Sequence, residues 1–356
     1  MDKNKVTSNS ELNEKEYSER AIILKSFPRS MFVQMDAPCN QDCLFCSRPE
    51  TYSYFRLEEF RGKFEAKLEE AFSSAERLLL TGSGELLSLP EAKKNLEYFN
   101  RYTYAEKMFA TNGSSLTPKM VDFLIESGNR YDIHISIHAS NKATHAIMTK
   151  SGTYDVLMEN LKYLRSVKND AGKLSINFVF LMTTSNVGDL PAFIDFAADY
   201  GADGVIAYYN YVYRPDQKAL SCCFAKEAAN RALDIVRAKT GPGWIGPRVS
   251  LPPKFNDPSY SEVSICGEAW SQLMVNTHGD VITCDVAGDS RETLLDKDFM
   301  GVWNGKYFTG IREKLAAGNR PCSKYCFRAN PACVNDFRSH IITRGKSEDE
   351  IEAFIR

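Results

Sequence analysis

Cys39, Cys43 and Cys46 stand as C-x3-C-x-F-C, with Phe45 just before the last thiol. Three thiolates at this pitch hold three corners of a cubane iron–sulfur cluster and leave the fourth iron open to another ligand. An open iron is a site for chemistry rather than for electron storage alone. The same triplet also suits part of a zinc site, which usually pairs C-x2-4-C with a second, distant pair. The other cysteines bear on that choice. Of ten in the chain, two are adjacent at Cys222 and Cys223, and five follow as Cys266, Cys284, Cys322, Cys326 and Cys333. None lies between 47 and 221. That distribution describes two metal-binding regions separated by a metal-free scaffold. In a reducing compartment, ten cysteines argue for metal ligation over disulfides.

The triplet needs a scaffold, and the hydrophobic pattern supplies one. From 27 to about 210, short β-rich runs alternate with longer amphipathic stretches, the pattern of repeated βα units around a parallel sheet. Strands are expected over 31–35, 77–81, 107–111, 132–137, 175–182 and 204–208. Helices are expected over 57–73, 90–100, 118–127, 154–167 and 190–200, with apolar residues at helical spacing such as Leu157, Leu161 and Leu164. Pro118 suits a first helical position, and Gly128 and Gly201 suit helix ends. Six units are too few for a closed eight-stranded barrel. The expected fold is α/β, a partial (βα)6 TIM-like barrel with a small C-terminal α+β cluster-binding domain. Reactive groups then belong at the C-terminal ends of the strands, where the triplet follows the first strand.

The divisions expected are an N-terminal extension (1–26), the barrel (27–215), a bridging helix and linker (216–262), the cluster-binding domain (263–345) and a C-terminal helix (346–356). Gly241-Pro242-Gly243 and Pro252-Pro253 punctuate the linker, and His278-Gly279-Asp280 reads as a hairpin turn. With 356 residues, 43% of them hydrophobic, the chain can bury one large core or two smaller ones. A net charge of −2 offers no electrostatic reason to expect nucleic acid or an anionic membrane as partner. No run approaches eighteen apolar residues, and the first twenty are polar and charged, so a cytoplasmic protein without membrane span or signal peptide is expected.

The triplet resembles the signature of the radical S-adenosylmethionine (SAM) enzymes, and further motifs extend the resemblance over 29–210. Thr81-Gly82-Ser83-Gly84-Glu85 follows the second strand and is similar to the family's Gly-Gly-Glu motif, with Ser83 in place of the first glycine. Thr111-Asn112-Gly113 and Ser136-Ile137-His138-Ala139 resemble the endings of its third and fourth strands. The resemblance implies SAM chelated to the open iron of a [4Fe-4S] cluster held by Cys39, Cys43 and Cys46. Ser83, Gly84 and Glu85 would hold the SAM amino group, and Ser136 the ribose or carboxylate. Lys150 lies near where an arginine often meets the carboxylate, and Phe45 and Asn112 complete the cofactor site. Asn186 falls where the family often has an asparagine, and it is expected to cap the following helix. The implied reaction is reductive cleavage of SAM to methionine and a 5′-deoxyadenosyl radical that abstracts hydrogen from a substrate C–H. Ferredoxin or flavodoxin would be the electron donor.

Cys266-x12-Gly279-x4-Cys284, followed by Cys322-x3-Cys326-x6-Cys333, resembles the family's SPASM/twitch extension, which carries auxiliary clusters. Five thiols suffice for one auxiliary [4Fe-4S] cluster. The expected ligands are Cys266, Cys284, Cys322 and Cys326, with Cys333 as substitute or spare. A structural zinc site on the same four thiolates is the alternative. Cys223 is a candidate hydrogen-atom donor by similarity to some peptide epimerases, although buried or incidental cysteines are commoner. His138, Tyr208, Tyr209, Tyr211 and Tyr213 are candidates for the cavity wall or simply for packing. The favoured outcome is two-electron oxidation of a small-molecule or carbohydrate-like substrate, because 1–26 is too short for a peptide-recognition domain. A ribosomal peptide or protein maturase is the alternative. In another class altogether stands a non-enzymatic zinc or iron–sulfur binding protein.

Overall fold

The computed structural model describes residues 3–47, 53–168, 173–259, 266–284, 292–319, 326, 330–342 and 348–355. Among them are nine strands: β1 (Ser30–Gln34), β2 (Arg77–Thr81), β3 (Glu106–Thr111), β4 (Tyr131–Ser136), β5 (Leu174–Met182), β6 (Gly204–Tyr209), β7 (Arg248–Ser250), β8 (Gln272–Val275) and β9 (Val281–Ile282). The six expected strands are all present, the first and the fourth displaced by one residue. β7 falls inside the stretch expected to be linker. The chain is α/β with mostly parallel strand pairing, and no pairing among the described residues closes a barrel.

Two compact units divide the chain. The first contains Met1–Pro38, Glu50–Phe109 and Val263–Ala329. Here β1 lies between β2 and β8, parallel to both, with Met31 opposite Leu78 on one side and Leu273 on the other. Alternation along β1 buries Met31 and Val33 completely. The helix Leu57–Ser74 buries Phe60, Phe64, Leu68 and Phe72, which recur at helical spacing. Phe72 meets Phe99 and Tyr102 edge-on at centroid distances of 5.8 and 5.4 Å. β8 and β9 form the expected hairpin. At its turn Gly279 has φ +86°, and a Cβ there would lie 2.7 Å from the Phe64 ring. Residues from the expected C-terminal domain thus build on the edge of the first strand.

The second unit contains Cys39–Pro49, Ala110–Glu262 and Asn330–Arg356. In it β4, β5, β6 and β7 pair in parallel. β5 is buried along nearly its whole length, as a strand covered on both faces must be. Phe178 and Phe180 pack on Phe193 of the helix Leu190–Asp199. Phe354, in the C-terminal helix Glu348–Ile355, joins Val212 and Ile341 in a small cluster.

The N-terminal extension is where local reading failed. Residues Lys3–Ser18 form a helix whose buried face is polar: Asn9, Ser10, Asn13 and Glu16. Asn9 Oδ1 accepts from the Phe27 N–H at 2.8 Å, while Asn13 donates to Ser26 Oγ and to the Trp270 carbonyl at 2.9 and 2.7 Å. Glu16 accepts from the N–H groups of Lys25 and Ser26. This helix docks by supplying hydrogen bonds to an extended backbone, so apolar periodicity could not reveal it. Asn13→Ala orphans the buried Trp270 carbonyl and is expected to cost about 1–3 kcal/mol. Thr7→Ala, on the exposed face, should be near neutral. Urea midpoints of the two variants check this. No helix among the described residues is long and apolar enough to cross a membrane.

Candidate functional site

In the second unit the cysteine loop is held by its backbone, leaving the thiols half-buried. The N–H groups of Asp42 and Leu44 donate to the carbonyls of Thr149 and Met148 at 3.1 and 3.0 Å. From the other flank, Gln217 Nε2 donates to the carbonyls of Leu44 and Cys46, and Arg214 Nη1 donates to that of Cys46 at 2.9 Å. Two side chains inside the motif add fixings. Asn40 donates to Ser114 Oγ, and Gln41 reaches Thr153 Oγ1, both at 2.8 Å. Cys43 Sγ donates to Gln41 Oε1 at 3.5 Å. Burial first, then the charges of Cys46 and Cys39, pushes the Cys43 thiol up to about 12. The three sulfurs therefore feel one another. Even so, no three His, Cys, Asp or Glu side chains among the described residues converge into a single-ion cage.

Thr111-Asn112-Gly113 works beside that loop. Asn112 is buried, donates to Asn40 Oδ1 at 2.9 Å, and accepts from the Ser114 N–H at 2.9 Å. Asn160 then donates to the carbonyls of Gly113 and Ser114. Gly113 has φ +78°, and a Cβ there would stand 2.4 Å from Leu157 Cδ1, so only glycine fits. Asn112, expected to face a cofactor, has a hand in positioning the cysteine loop.

At the end of β4, Ser136 is half-buried and pairs in register with Val179. His138 is buried and holds a left-handed φ of +61°, unusual for a residue with a Cβ. Its Nδ1 accepts from the Leu181 N–H at 3.0 Å, which assigns the ring proton to Nε2. Burial, then the neighbouring His145, pulls its pKa down to about 3, so the ring is neutral. Phe45 meets it edge-on at 4.8 Å and an interplanar angle of 82°. Asn186 does not use its side chain as a cap, contrary to expectation. It accepts from the Thr183 N–H and donates to the carbonyls of His138 and Leu181 at 2.9 Å, which holds the left-handed histidine in place. Lys150 is exposed and ends the helix Lys142–Thr149 in the left-handed conformation, at φ +47°.

In the first unit, Thr81-Gly82-Ser83-Gly84-Glu85 folds against the end of β1. A Cβ on Gly82 would come within 2.7–2.8 Å of the backbone of Met35 and Asp36, so this glycine permits the approach of chain to chain. Asp36 accepts from the Ser83 N–H at 2.7 Å, and the Ala37 N–H donates to the Ser83 carbonyl at 2.8 Å. Gly84 takes φ +93°. Glu85 is buried, and its Oε1 accepts from the Leu87 N–H at 3.2 Å. Asp36 was not among the expected site residues, and only its place one residue past an apolar run hinted at it.

The distal cysteines divide between the units. Cys266, Cys284 and Cys326 are half-buried members of the first, Cys333 is a half-buried member of the second, and Cys322 lies outside the described residues. Cys222 is fully buried, whereas Cys223 is half-buried with its thiol pushed up to about 11, mainly by burial, and aimed at the Val334 carbonyl at 3.7 Å. Tyr209 packs on Phe255 at 4.8 Å and donates to the Pro253 carbonyl. Tyr208 is exposed, and Tyr211 and Tyr213 are half-buried.

The model of the Radical SAM superfamily matches residues 38–197. Sequence comparison with curated proteins gives no match. Among solved structures, SuiB of Streptococcus suis bound to S-adenosylmethionine is similar, with a TM-score of 0.64 at 13% identity over 92% of this chain and 76% of that one. SuiB bound to the precursor peptide SuiA gives 0.63 at 12% identity, over 92% and 74%. Native anSMEcpe with bound AdoMet and Cp18Cys peptide gives 0.63 at 14%, over 92% and 95%. At such identities the likeness is one of fold. The matched span holds the cysteine triplet and the motifs that end β2, β3 and β4, and over it the chain is similar to a radical SAM domain.

Proposed function

We propose that the chain is a radical SAM enzyme acting on a peptide. The observation that carries the reading is the stapled loop of three half-buried, mutually interacting thiols inside the span similar to a radical SAM domain. The donor set fits a cubane. Its sulfurs are near enough to repel as thiolates, which a cationic cluster would offset, and a cubane spreads its ligands more widely than one ion does. When bound there, the cluster supplies reductive cleavage of SAM and so a carbon radical able to take hydrogen from a C–H bond. Cys39, Cys43 and Cys46 would hold it, with Ser83, Gly84, Glu85, Asn112, Ser136 and Lys150 toward SAM. Cys266, Cys284, Cys322 and Cys326 would be the donors for one auxiliary cluster, with Cys333 as substitute or spare, and Cys223 is a protonated thiol suited to giving a hydrogen atom. A ferredoxin or flavodoxin would supply electrons.

The peptide reading is supported by SuiB with its precursor peptide and by anSMEcpe with its peptide, which share the fold. The short N-terminal segment, which in sequence argued for a small molecule, is occupied as a docked helix and no longer bears on the substrate. Oxidation of a small-molecule or carbohydrate-like substrate is the second reading, favoured by half-buried distal thiols that suit an electron acceptor. Anaerobic reconstitution with iron and sulfide, then reduction with SAM present, should yield 5′-deoxyadenosine and about eight irons per chain, two cubanes' worth. Stoichiometric zinc without iron would sink the proposal.

A further inference from the structure

Gln41, between Cys39 and Cys43, is 7% exposed and stands at one end of a ladder of hydroxyls. Its Nε2 donates to Thr153 Oγ1 at 2.8 Å. Thr153 Oγ1 meets Ser151 Oγ at 2.9 Å, and Ser151 Oγ meets Thr149 Oγ1 at 2.9 Å. At the far end Thr149 Oγ1 donates to the His145 carbonyl at 2.8 Å and lies 3.4 Å from His145 Nδ1. Thr153 occupies the cap position of the helix Tyr154–Val167, where a threonine hydroxyl commonly accepts from a helix N–H, yet it makes no such bond. Its hydroxyl is given to the ladder instead. These residues all belong to the second unit. At the near end, Gln41 Oε1 accepts from the Cys43 thiol at 3.5 Å.

That last contact suits a thiol and not a ligand. A cysteine that binds iron gives up its proton, and its sulfur then only accepts. The amide oxygen of Gln41 would face the lone pairs of that sulfur, two acceptors with no proton between them. A half-turn of the amide about its last torsion puts Nε2, a donor, at the sulfur and Oε1 at Thr153. The ladder meets this exchange without leaving a polar atom unmatched, because every hydroxyl in it both donates and accepts. Thr149 then turns from the His145 carbonyl to Ser151, Ser151 donates to Thr153, and Thr153 donates to Gln41 Oε1. His145 favours this sense. Burial holds its pKa below the ordinary value, so the ring is neutral with one N–H, and its buried Nε2 has no partner. The ring proton finds an acceptor only from Nδ1, at Thr149 Oγ1.

We propose that Gln41 is a positioning residue for the cluster of the triplet: its Nε2 donates to the Cys43 sulfur, and the hydroxyls of Thr153, Ser151 and Thr149 hold the amide in that sense. Hydrogen bonds to cluster sulfurs help set the reduction potential, and a donor raises it because the incoming electron adds negative charge to the sulfurs. That electron comes from the reductant, and no bond forms or breaks as it enters. Gln41 thereby eases the reduction on which SAM cleavage depends. The inference rests on the radical SAM reading above.

The test uses the full chain reconstituted anaerobically with iron and sulfide and titrated against redox mediators. The paramagnetic signal of the reduced protein that is absent from Cys43→Ala identifies the triplet's cluster. Gln41→Leu keeps the bulk and removes the donor, so iron per chain should be unchanged and the midpoint potential lower. At the solution potential that half-reduces the wild type, the reduced-to-oxidised ratio should fall at least about threefold, a fraction of one hydrogen bond to a charged group. Thr153→Val, outside the cysteine loop, should move the potential in the same direction and by less. A midpoint unmoved in either variant would overturn the proposal. So would a Gln41→Leu chain that loads less iron, because Gln41 would then serve only to build the site. A wild type that takes up no cubane overturns this inference and the radical reading together. SAM cleavage with a Gln41-independent potential overturns this inference alone, and a Gln41-dependent potential without SAM cleavage overturns the radical reading alone.

Discussion

Cys43→Ala is expected to abolish reductive cleavage of SAM while leaving the chain folded. The central thiol has one weak partner, Gln41 Oε1 at 3.5 Å, and the loop around it is held by backbone bonds to Thr149, Met148, Gln217 and Arg214. Removing a half-buried sulfur from such a loop should cost roughly 1 kcal/mol or less. The chemical loss is total by comparison, because two thiolates leave a second iron corner without a protein ligand. Iron should fall by about four per chain, one cubane, while any cluster on the distal thiols remains. Cys284→Ala is the complementary variant: 5′-deoxyadenosine should still form while product does not. The measurements are 5′-deoxyadenosine by chromatography, iron per chain, and the unfolding midpoint of the unloaded protein. SAM cleavage that survives in Cys43→Ala would refute the assignment of the triplet.

Acidification should destabilise the chain well before its carboxylates titrate. Burial pulls His138 down to about 3 and His340 down to about 4, against about 6.5 when unfolded. Between those values the unfolded chain binds protons that the folded chain refuses, so stability rises with pH across the window. It is complete above about 6.5 and lost progressively as pH falls below that. Each histidine contributes at most about 1.4 kcal/mol per pH unit, so the two together cost up to roughly 4 kcal/mol by pH 5. Asp336, held low by the Arg338 guanidinium, adds loss in the same direction only near and below its ordinary range. Urea midpoints at pH 7.5, 6 and 5 measure the slope. His138→Gln, which cannot titrate, should reduce the slope by about half, because His340 still contributes, and a midpoint unchanged between pH 7.5 and 5 would contradict the burial argument.

Much of the scaffold was legible because its signals are local. Alternation and helical spacing located all six expected strands, and Gly279 marked a hairpin turn that no side chain could occupy against Phe64. Legibility failed where a segment is stabilised by something other than its own apolar pattern. The helix Lys3–Ser18 docks through Asn9, Asn13 and Glu16, and β7 is a three-residue strand with little to bury. Asn186 stands at a cap position, yet its amide is spent on His138, 48 residues away.

For the candidate site the division is the same. Residue type and spacing alone singled out the proposed donor set, since Cys39, Cys43 and Cys46 lie within one loop and a loop's residues are written next to one another. The strand endings that accompany them were equally local. Only the tertiary structure decided what holds that loop, with Arg214 and Gln217 reaching it from 168 and 171 residues away. It alone set the charge state of His138, which follows from burial. Burial and the pairing of polar groups belong to the folded surroundings, and no stretch of sequence carries them by itself.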